Sequence, residues 1–358
     1  MEEIVPDFIL VTTFFILGSA GNIAIIWLYS NMNQPRTKAY KEIIVFLAIV
    51  DLISCILNSF LNIALLIGPR FLENSYFCKF LRFSCHVTTV YSAFILLVIA
   101  LQRYLLICRP FNQQMTSCVR KISITFCAVL STALCSPVFV FYGTGSDNQF
   151  AVSSSCGILG RYIESRELFV FNIIYMTVIT IVIGSISYLY FCVLRTAYVK
   201  RKIVGKNHHN VSHADRSDAS RDNTMNTNIS MLSLNNMLYG SKSSLSSTRT
   251  HINCNVQRQH ILTLMFLTIT ILCIVAFIPR RVIELEEALD KQFPTNTFGR
   301  HEFLFRFLRT LYMLNNVINP YIYGLFDRDL RKMLRKLCKR WREYTKNFRS
   351  VILSWTLI

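Results

Sequence analysis

Seven long apolar stretches occupy most of this chain of 358 residues, and they restrict its fold more than any other feature. A helix needs about 20 consecutive apolar residues to cross the hydrocarbon core of a bilayer, which is roughly 30 Å thick. Of all residues, 53% are hydrophobic and 16% are charged, a balance that is wrong for a soluble chain. The sequence therefore predicts an all-α membrane protein, a seven-transmembrane helix bundle. We expect its spans at about 8–30, 41–67, 79–107, 121–142, 168–194, 260–285 and 303–325.

The formal net charge is +18, and the Lys and Arg residues that produce it lie mainly in alternate connections between the spans and in the C-terminal segment. Connections rich in Lys and Arg stay on the cytoplasmic side of a membrane. This rule places the short N-terminal segment 1–7, with its acidic residues, outside the cell, and the seven-span bundle domain is expected at 8–326. Nucleic-acid binding is disfavoured because no basic soluble domain remains to carry the charge.

One connection is much longer than the others. Residues about 203–256 are rich in Ser, Asn, Thr and His with few large apolar residues, so they bury too little area to offset the entropy of ordering. We expect a mostly disordered cytoplasmic loop, which serves either as a phosphorylation target or as a plain linker. The sequons that begin at Asn210 and Asn228 fall within it and should stay unglycosylated.

The residues after the seventh span have a different pattern. Residues 327–341 place apolar side chains on one helical face among many basic ones, with Leu330, Met333, Leu334 and Leu337 as the apolar set. This spacing predicts a short amphipathic helix on the cytoplasmic surface that contacts membrane lipids, followed by a tail at 342–358. Cys338 in this helix is either a palmitoylation site or an unmodified thiol.

Twelve cysteines are present, and most lie inside apolar spans, where Cys behaves as a small apolar residue. Two stand apart from the rest. Cys78 opens the third span and Cys156 lies in the fourth connection, both on the predicted outer, oxidising side.

Short motifs occur in most of the spans and in a fixed order. The motifs are Gly21-Asn22, Leu47-Ala48-Ile49-Val50-Asp51, Cys78, Gln102-Arg103-Tyr104 and Asn319-Pro320-x-x-Tyr323. Together they resemble the rhodopsin-like (class A) G-protein-coupled receptor family. The resemblance implies a plasma-membrane receptor, not an enzyme, that activates heterotrimeric G proteins, with arrestin and receptor kinases as further partners. It also implies a disulfide between Cys78 and Cys156.

The sequence departs from the family pattern at several positions. The family usually has an acid where Gln102 stands, a Trp in the fourth span, a Pro in the fifth and a Trp just before the Pro of the sixth. Here Phe277 precedes Pro279. Phe277 can still serve as an aromatic rotamer switch, although with less bulk and without an indole donor.

An intramembrane acid needs partners, and Asp51 lies in mid-span. By resemblance, Ser92, Asn315 and Asn319 converge on it and supply oxygens for an allosteric sodium ion, with Asn22 nearby. The alternative is a protonated Asp51 that is hydrogen-bonded to Asn319 without an ion. No other cofactor is expected.

Arg103 is expected to act as the switch toward the G protein. In the family it pairs at rest with a preceding acid and with an acid at the base of the sixth helix. Here Gln102 is neutral and the base of the sixth span reads Arg258-Gln259-His260, so neither acid is present. Tyr188 and Tyr323 are the expected partners of Arg103 in the active state.

The outer half of the bundle is basic. Arginine suits carboxylate, sulfate or phosphate groups, although pairing with Glu284 and its acidic neighbours is the alternative use of these residues. The position that holds Asp in amine receptors is Cys85, and the position that holds the retinal-binding Lys of visual pigments is Met313. The expected ligand-binding residues are Arg82, His86, Arg280, Arg281 and Arg309.

These residues favour an extracellular ligand that is a neuropeptide with an acidic group; the alternative is a small organic anion such as a nucleotide or carboxylate. A polytopic transporter should show an inverted repeat, and none is visible in the sequence. An enzyme would need a catalytic constellation, and none can be assembled.

Overall fold

The computed structural model describes residues 5–31, 38–68, 72, 74–144, 156–163, 165–218, 261, 263–286 and 302–355. Most of these residues are helical. The helices are α1 (Val5–Ser30), α2 (Lys38–Ile67), α3 (Ser75–Cys108), α4 (Ser117–Cys135), α5 (Val138–Phe141), α6 (Arg166–Asp218), α7 (Thr263–Glu286), α8 (Glu302–Thr310), α9 (Leu314–Phe326) and α10 (Arg328–Trp355). A two-stranded antiparallel sheet pairs β1 (Tyr142–Gly143) with β2 (Gly157–Ile158).

Within the described residues, six segments are long and apolar enough to cross a membrane: α1, α2, α3, α4 together with α5, α6 and α7. The seventh predicted span is present as α8 and α9, which the 3₁₀ turn Leu311–Met313 joins. Pro137 lies where α4 gives way to α5, and Pro320 lies inside α9. The all-helical bundle confirms the predicted fold class.

The third helix is central, since α2, α4 and α6 all pack against α3, while α1 packs against α2 and α9. Close approach of α1 to its neighbours depends on two glycines. A Cβ atom on Gly18 would overlap the sulfur of Cys55, and one on Gly21 would lie 3.0 Å from Pro320. The Gly21-Asn22 motif is therefore explained in part by packing against the proline of α9.

A disulfide joins Cys78 at the start of α3 to Cys156, with their Cα atoms 5.5 Å apart. The pairing predicted from the resemblance is confirmed. It holds the β1–β2 hairpin against α3. We call this end of the bundle the disulfide end, and the opposite end, where α10 follows α9, the α10 end.

Asp327 organises the start of α10. One of its carboxylate oxygens accepts a hydrogen bond from the backbone N–H of Leu330 at 3.3 Å, as an N-cap residue does. The other accepts from the hydroxyl of Tyr29 on α1 at 2.5 Å. Leu330 is buried against the bundle. The first turn of α10 is thus fixed to both α1 and α9.

Two expected boundaries differ from the structure. Helix α6 continues to Asp218, so residues 203–218 are helical rather than part of an irregular loop, and residues 219–256 lie outside the described residues. Helix α10 continues to Trp355, beyond the expected end of the amphipathic helix at 341. Both extensions lack Pro, and adding a residue to an existing helix costs far less than nucleating a new one.

Candidate functional site

Asp51 lies at the centre of the bundle and is fully buried on α2. The hydroxyl of Ser92 on α3 donates to one carboxylate oxygen at 2.8 Å, and the Nδ2 of Asn319 on α9 donates to the other at 2.7 Å. The Oδ1 of Asn319 is buried without a hydrogen-bond partner. Carboxylate, hydroxyl and amide oxygens are ligands that hard cations prefer.

Two other residues expected around Asp51 are hydrogen-bonded elsewhere. The Oδ1 of Asn315 accepts from the thiol of Cys273 on α7. The Nδ2 of Asn22 donates to the backbone carbonyls of Gly18 at 2.9 Å and Asn316 at 2.8 Å. The structure therefore brings Asp51, Ser92 and Asn319 into direct contact, while Asn315 and Asn22 connect neighbouring helices. Sodium binding stays a prediction.

Phe277 is buried on α7, close to Asn315. It lines a cavity of about 30 Å³ between α3, α6 and α7, together with Cys273 and Asn315. Most of the other lining side chains are aliphatic, including Ile179 and Ile186 of α6. The role of Phe277 as an aromatic rotamer switch stays a prediction.

A second polar network, which the sequence analysis missed, connects α2 to the seventh span. The hydroxyl of Tyr312 donates to Asn58 at 2.6 Å, and Asn58 donates to Ser54 at 3.1 Å. Ser54 also accepts from the Nδ2 of Asn316 at 2.9 Å. The available signal was the spacing of Ser54, Asn58 and Asn62, which places three polar residues on one face of an apolar span.

Arg103 lies buried near the α10 end of α3. Its guanidinium carbon is 5.3 Å from the centre of the Phe266 ring on α7. The ring of Tyr323 on α9 meets Phe266 edge-on, with centroids 6.3 Å apart. Arg103 and Tyr323 are thus brought together through Phe266, a residue that the sequence analysis did not single out.

The structure does not place Tyr188 at Arg103. Tyr188 is 66% exposed on the outer face of α6, whereas Tyr190 is 1% exposed, interacts electrostatically with Arg103 and is hydrogen-bonded to Thr270. Residues two apart on a helix point to nearly opposite sides. In this arrangement Tyr190 is the tyrosine of α6 that faces Arg103, and the active-state role of Tyr188 stays a prediction.

The expected ligand-binding arginines converge at the disulfide end. Arg280 and Arg281 on α7 both bond Glu284, one turn further on, at 2.7 Å and 2.5 Å respectively. Arg280 also donates to the backbone carbonyl of Arg309 at 3.2 Å. The alternative of internal pairing therefore holds for these two arginines. All three side chains are buried.

Arg82 and His86 approach this group from α3. Arg82 donates to the backbone carbonyl of Cys156 at 2.6 Å, directly beside the disulfide, and lies 5.6 Å from the ring centre of Tyr142. His86 bonds the carbonyl of Arg82 at 2.9 Å through its Nδ1. Both are buried. They share a cavity of about 10 Å³ with Arg280, Arg281, Asn58 and Tyr312. We call this cavity the arginine pocket.

Two further arginines lie on α8. Arg309 is half-buried, with its guanidinium 5.9 Å from the ring centre of Phe305. Arg306 forms an ion pair with Asp7 of α1. The pocket is therefore formed by Arg82, Arg280 and Arg281, with Arg309 near its edge. Cys338 is exposed on α10 and accessible for lipidation, which stays a prediction.

The family model described as 7 transmembrane receptor (rhodopsin family) matches residues 21–323. That match covers most of the chain and includes every motif named above, from Gly21-Asn22 to Tyr323. The chain belongs to this family of multi-pass membrane receptors, which are not enzymes.

Several curated proteins are similar at low identity. Tachykinin-like peptides receptor 99D of Drosophila melanogaster is 26% identical over 132 residues, 36% of this chain and 25% of that protein. Cephalotocin receptor 2 of Octopus vulgaris is 24% identical over 197 residues, 53% of this chain and 46% of that protein. A GQ-coupled rhodopsin of Mizuhopecten yessoensis is 26% identical over 181 residues, 50% of this chain and 36% of that protein. The chain therefore spans less than half the length of each of these relatives.

Proposed function

We propose that this chain is a plasma-membrane receptor that binds an extracellular peptide with an acidic group and activates heterotrimeric G proteins. The observation that carries the proposal is the arginine pocket, where Arg82, Arg280 and Arg281 are buried around Glu284. Burying a charge without a counter-charge is costly. An anionic ligand group would supply the missing charge.

Two features support a peptide over the other ligands that receptors of this family bind. Cys85, which lines the pocket, and the fully buried Met313 offer neither the acid expected for an amine nor the amine expected for retinal. Three of the similar proteins carry the names of tachykinin-like peptide and cephalotocin receptors. A small organic anion is the second candidate, because its charge would meet the same buried arginines.

The α10 end is where the proposed receptor would contact the G protein. Arg103 lies against Phe266 of α7, and the Phe266 ring in turn contacts Tyr323 of α9. Movement of α7 away from α3 would uncover Arg103 for the G protein. A sodium ion at Asp51, Ser92 and Asn319 would favour the resting arrangement, since its charge offsets the buried carboxylate.

The test is a ligand screen on cells that express the receptor, read out as G-protein activation. The library holds peptides with and without acidic residues, along with nucleotides and small carboxylates. For a ligand that activates, Arg82→Gln should lower potency at least tenfold, which corresponds to about 1.4 kcal/mol of lost binding free energy. Arg103→Ala should abolish signalling while ligand binding persists.

The matched control is Arg161→Gln, because Arg161 lies exposed at the same end of the bundle, outside the pocket. It should leave potency unchanged. A potent ligand without any anionic group, whose potency is also unaffected by Arg82→Gln, would refute the proposed ligand class.

A further inference from the structure

The arginine pocket contains more positively charged than negatively charged side chains among the described residues. Arg82, Arg280 and Arg281 line it, and Glu284 is the acid that pairs with them among the described residues. Arg309 also carries a positive charge, but it is only partly buried and is not among the residues that line the pocket. Within the part of the chain that the structure describes, three guanidinium groups and one carboxylate leave the pocket with two positive charges in excess.

Both carboxylate oxygens of Glu284 bond arginines of its own helix. Its Oε1 accepts from Arg280 at 2.7 Å, and its Oε2 accepts from Arg281 at 2.5 Å. Arg82 is hydrogen-bonded to a neutral carbonyl instead, at Cys156. The Nε atoms of Arg82 and Arg281 are buried without a hydrogen-bond acceptor. Donors therefore remain for a further anionic group.

Aromatic rings hold the three guanidinium groups in position. Each distance runs from the guanidinium carbon of an arginine to the centre of a tyrosine ring. It is 5.6 Å for Arg82 and Tyr142, 4.1 Å for Arg280 and Tyr312, and 4.7 Å for Arg281 and Tyr175. Cation–π contact attracts a cation but carries no net negative charge. The rings fix the geometry of the pocket and leave its excess charge in place.

We propose that the arginine pocket selects a group with two negative charges, and that Glu284 sets this number by neutralising one of the three arginines. The inference rests on the proposed function and specifies its ligand. A phosphate monoester and a pair of neighbouring carboxylates share the required chemistry. A single carboxylate or a sulfate ester would leave one arginine unneutralised.

The experiment measures thermal unfolding of the full-length purified receptor against anion concentration, at neutral pH and constant ionic strength. Methyl phosphate and methyl sulfate have the same tetrahedral shape, but most of the phosphate carries two charges, because its second pKa is about 6. Succinate and acetate form the corresponding carboxylate pair. We expect methyl phosphate, succinate or both to half-saturate at a concentration at least tenfold lower than the singly charged partner.

Variants change the charge count in both directions. Glu284→Gln raises the excess to three, so every anion should bind more tightly and stabilise this variant more than the wild type. Arg82→Gln lowers the excess to one, so the advantage of the doubly charged anion should disappear, whereas Arg82→Lys should retain part of it. Arg161→Gln is the control that should change nothing.

The two pairs of probes distinguish the sources of the charge. A preference for methyl phosphate over methyl sulfate identifies a phosphate ligand, and a preference for succinate over acetate identifies a dicarboxylate ligand. Equal effects of singly and doubly charged anions on the wild type would overturn the inference. A preference for the doubly charged anion that survives Arg82→Gln would overturn it too, because it would indicate an adventitious ion only. In that case G-protein activation by a singly charged peptide would leave the proposed function intact. Charge selection without any G-protein activation would contradict the proposed function instead.

Discussion

At the scale of single residues, Gln102 determines which interactions are available to its neighbour Arg103. A neutral hydrogen bond is worth about 1 kcal/mol, and one to a charged group is worth about 1.5–3 kcal/mol. An acid at position 102 should therefore stabilise the resting arrangement of Arg103. We predict that Gln102→Glu lowers ligand-independent G-protein activation about fivefold at matched surface expression, as a shift of about 1 kcal/mol implies.

Gln102→Met is the matched control, because it has similar length and no charge, and it should not lower the basal signal. A wild-type receptor without basal activity would contradict this prediction. So would an equal effect of the Glu and Met variants.

Residue-level prediction from the sequence succeeded where a side chain has one plausible partner and failed where a helical face had to be chosen. Cys78 and Cys156 form the expected disulfide, and Asp51 bonds Asn319. Tyr188 and Tyr190 lie on opposite faces of α6, and both faces carry apolar residues. In a membrane the lipid-facing side is as apolar as the core, so hydrophobicity alone does not reveal which tyrosine points inward.

At the scale of elements, a chain of contacts joins the arginine pocket to the middle of the bundle. Arg280 of α7 lies over the ring of Tyr312, whose hydroxyl bonds Asn58 of α2. We predict that Tyr312→Phe lowers the free energy of unfolding by about 1–3 kcal/mol, because the Oδ1 of Asn58 loses its donor in a buried site. The phenyl ring should still support Arg280. Thermal unfolding of the purified receptor measures the loss.

A double-mutant cycle with Asn58→Leu separates this hydrogen bond from general damage. The coupling between the two substitutions should be at least about 0.5 kcal/mol. Tyr321→Phe is the control, since its hydroxyl donates to the carbonyl of Leu17 at an exposed position, and it should cost less. Additive losses at Tyr312 and Asn58 would contradict the link between α2 and the seventh span.

Element-level prediction was accurate for the continuous spans, whose length and apolar composition determine them. It missed the 3₁₀ turn Leu311–Met313, which divides the seventh span without a Pro or Gly to indicate it. It also ended α6 and α10 too early, because a polar or basic composition was taken to end a helix. Hydropathy indicates where a segment leaves the hydrocarbon core of the membrane. A helix, in contrast, ends at the residue where the regular backbone hydrogen bonds stop.

At the scale of the whole molecule, the two ends of the bundle carry different chemistry. The disulfide end has the arginine pocket and the hairpin, and the α10 end has Arg103 and many basic residues of α10. Disulfides persist in an oxidising compartment, and Lys and Arg near spans stay in the cytoplasm. Both rules predict the same orientation, with the disulfide end outside the cell and the α10 end inside.

We therefore predict that an epitope tag before Met1 is detected by antibody on intact cells, whereas a tag after Ile358 is detected only once the cells are permeabilised. The sequons at Asn210 and Asn228 should remain unglycosylated for the same reason, because the connection between α6 and α7 would lie in the cytoplasm. Glycosidase treatment should leave the mobility of the receptor unchanged on a gel. Detection of the C-terminal tag on intact cells, or glycan at either sequon, would invert the orientation and move the arginine pocket to the cytoplasmic side.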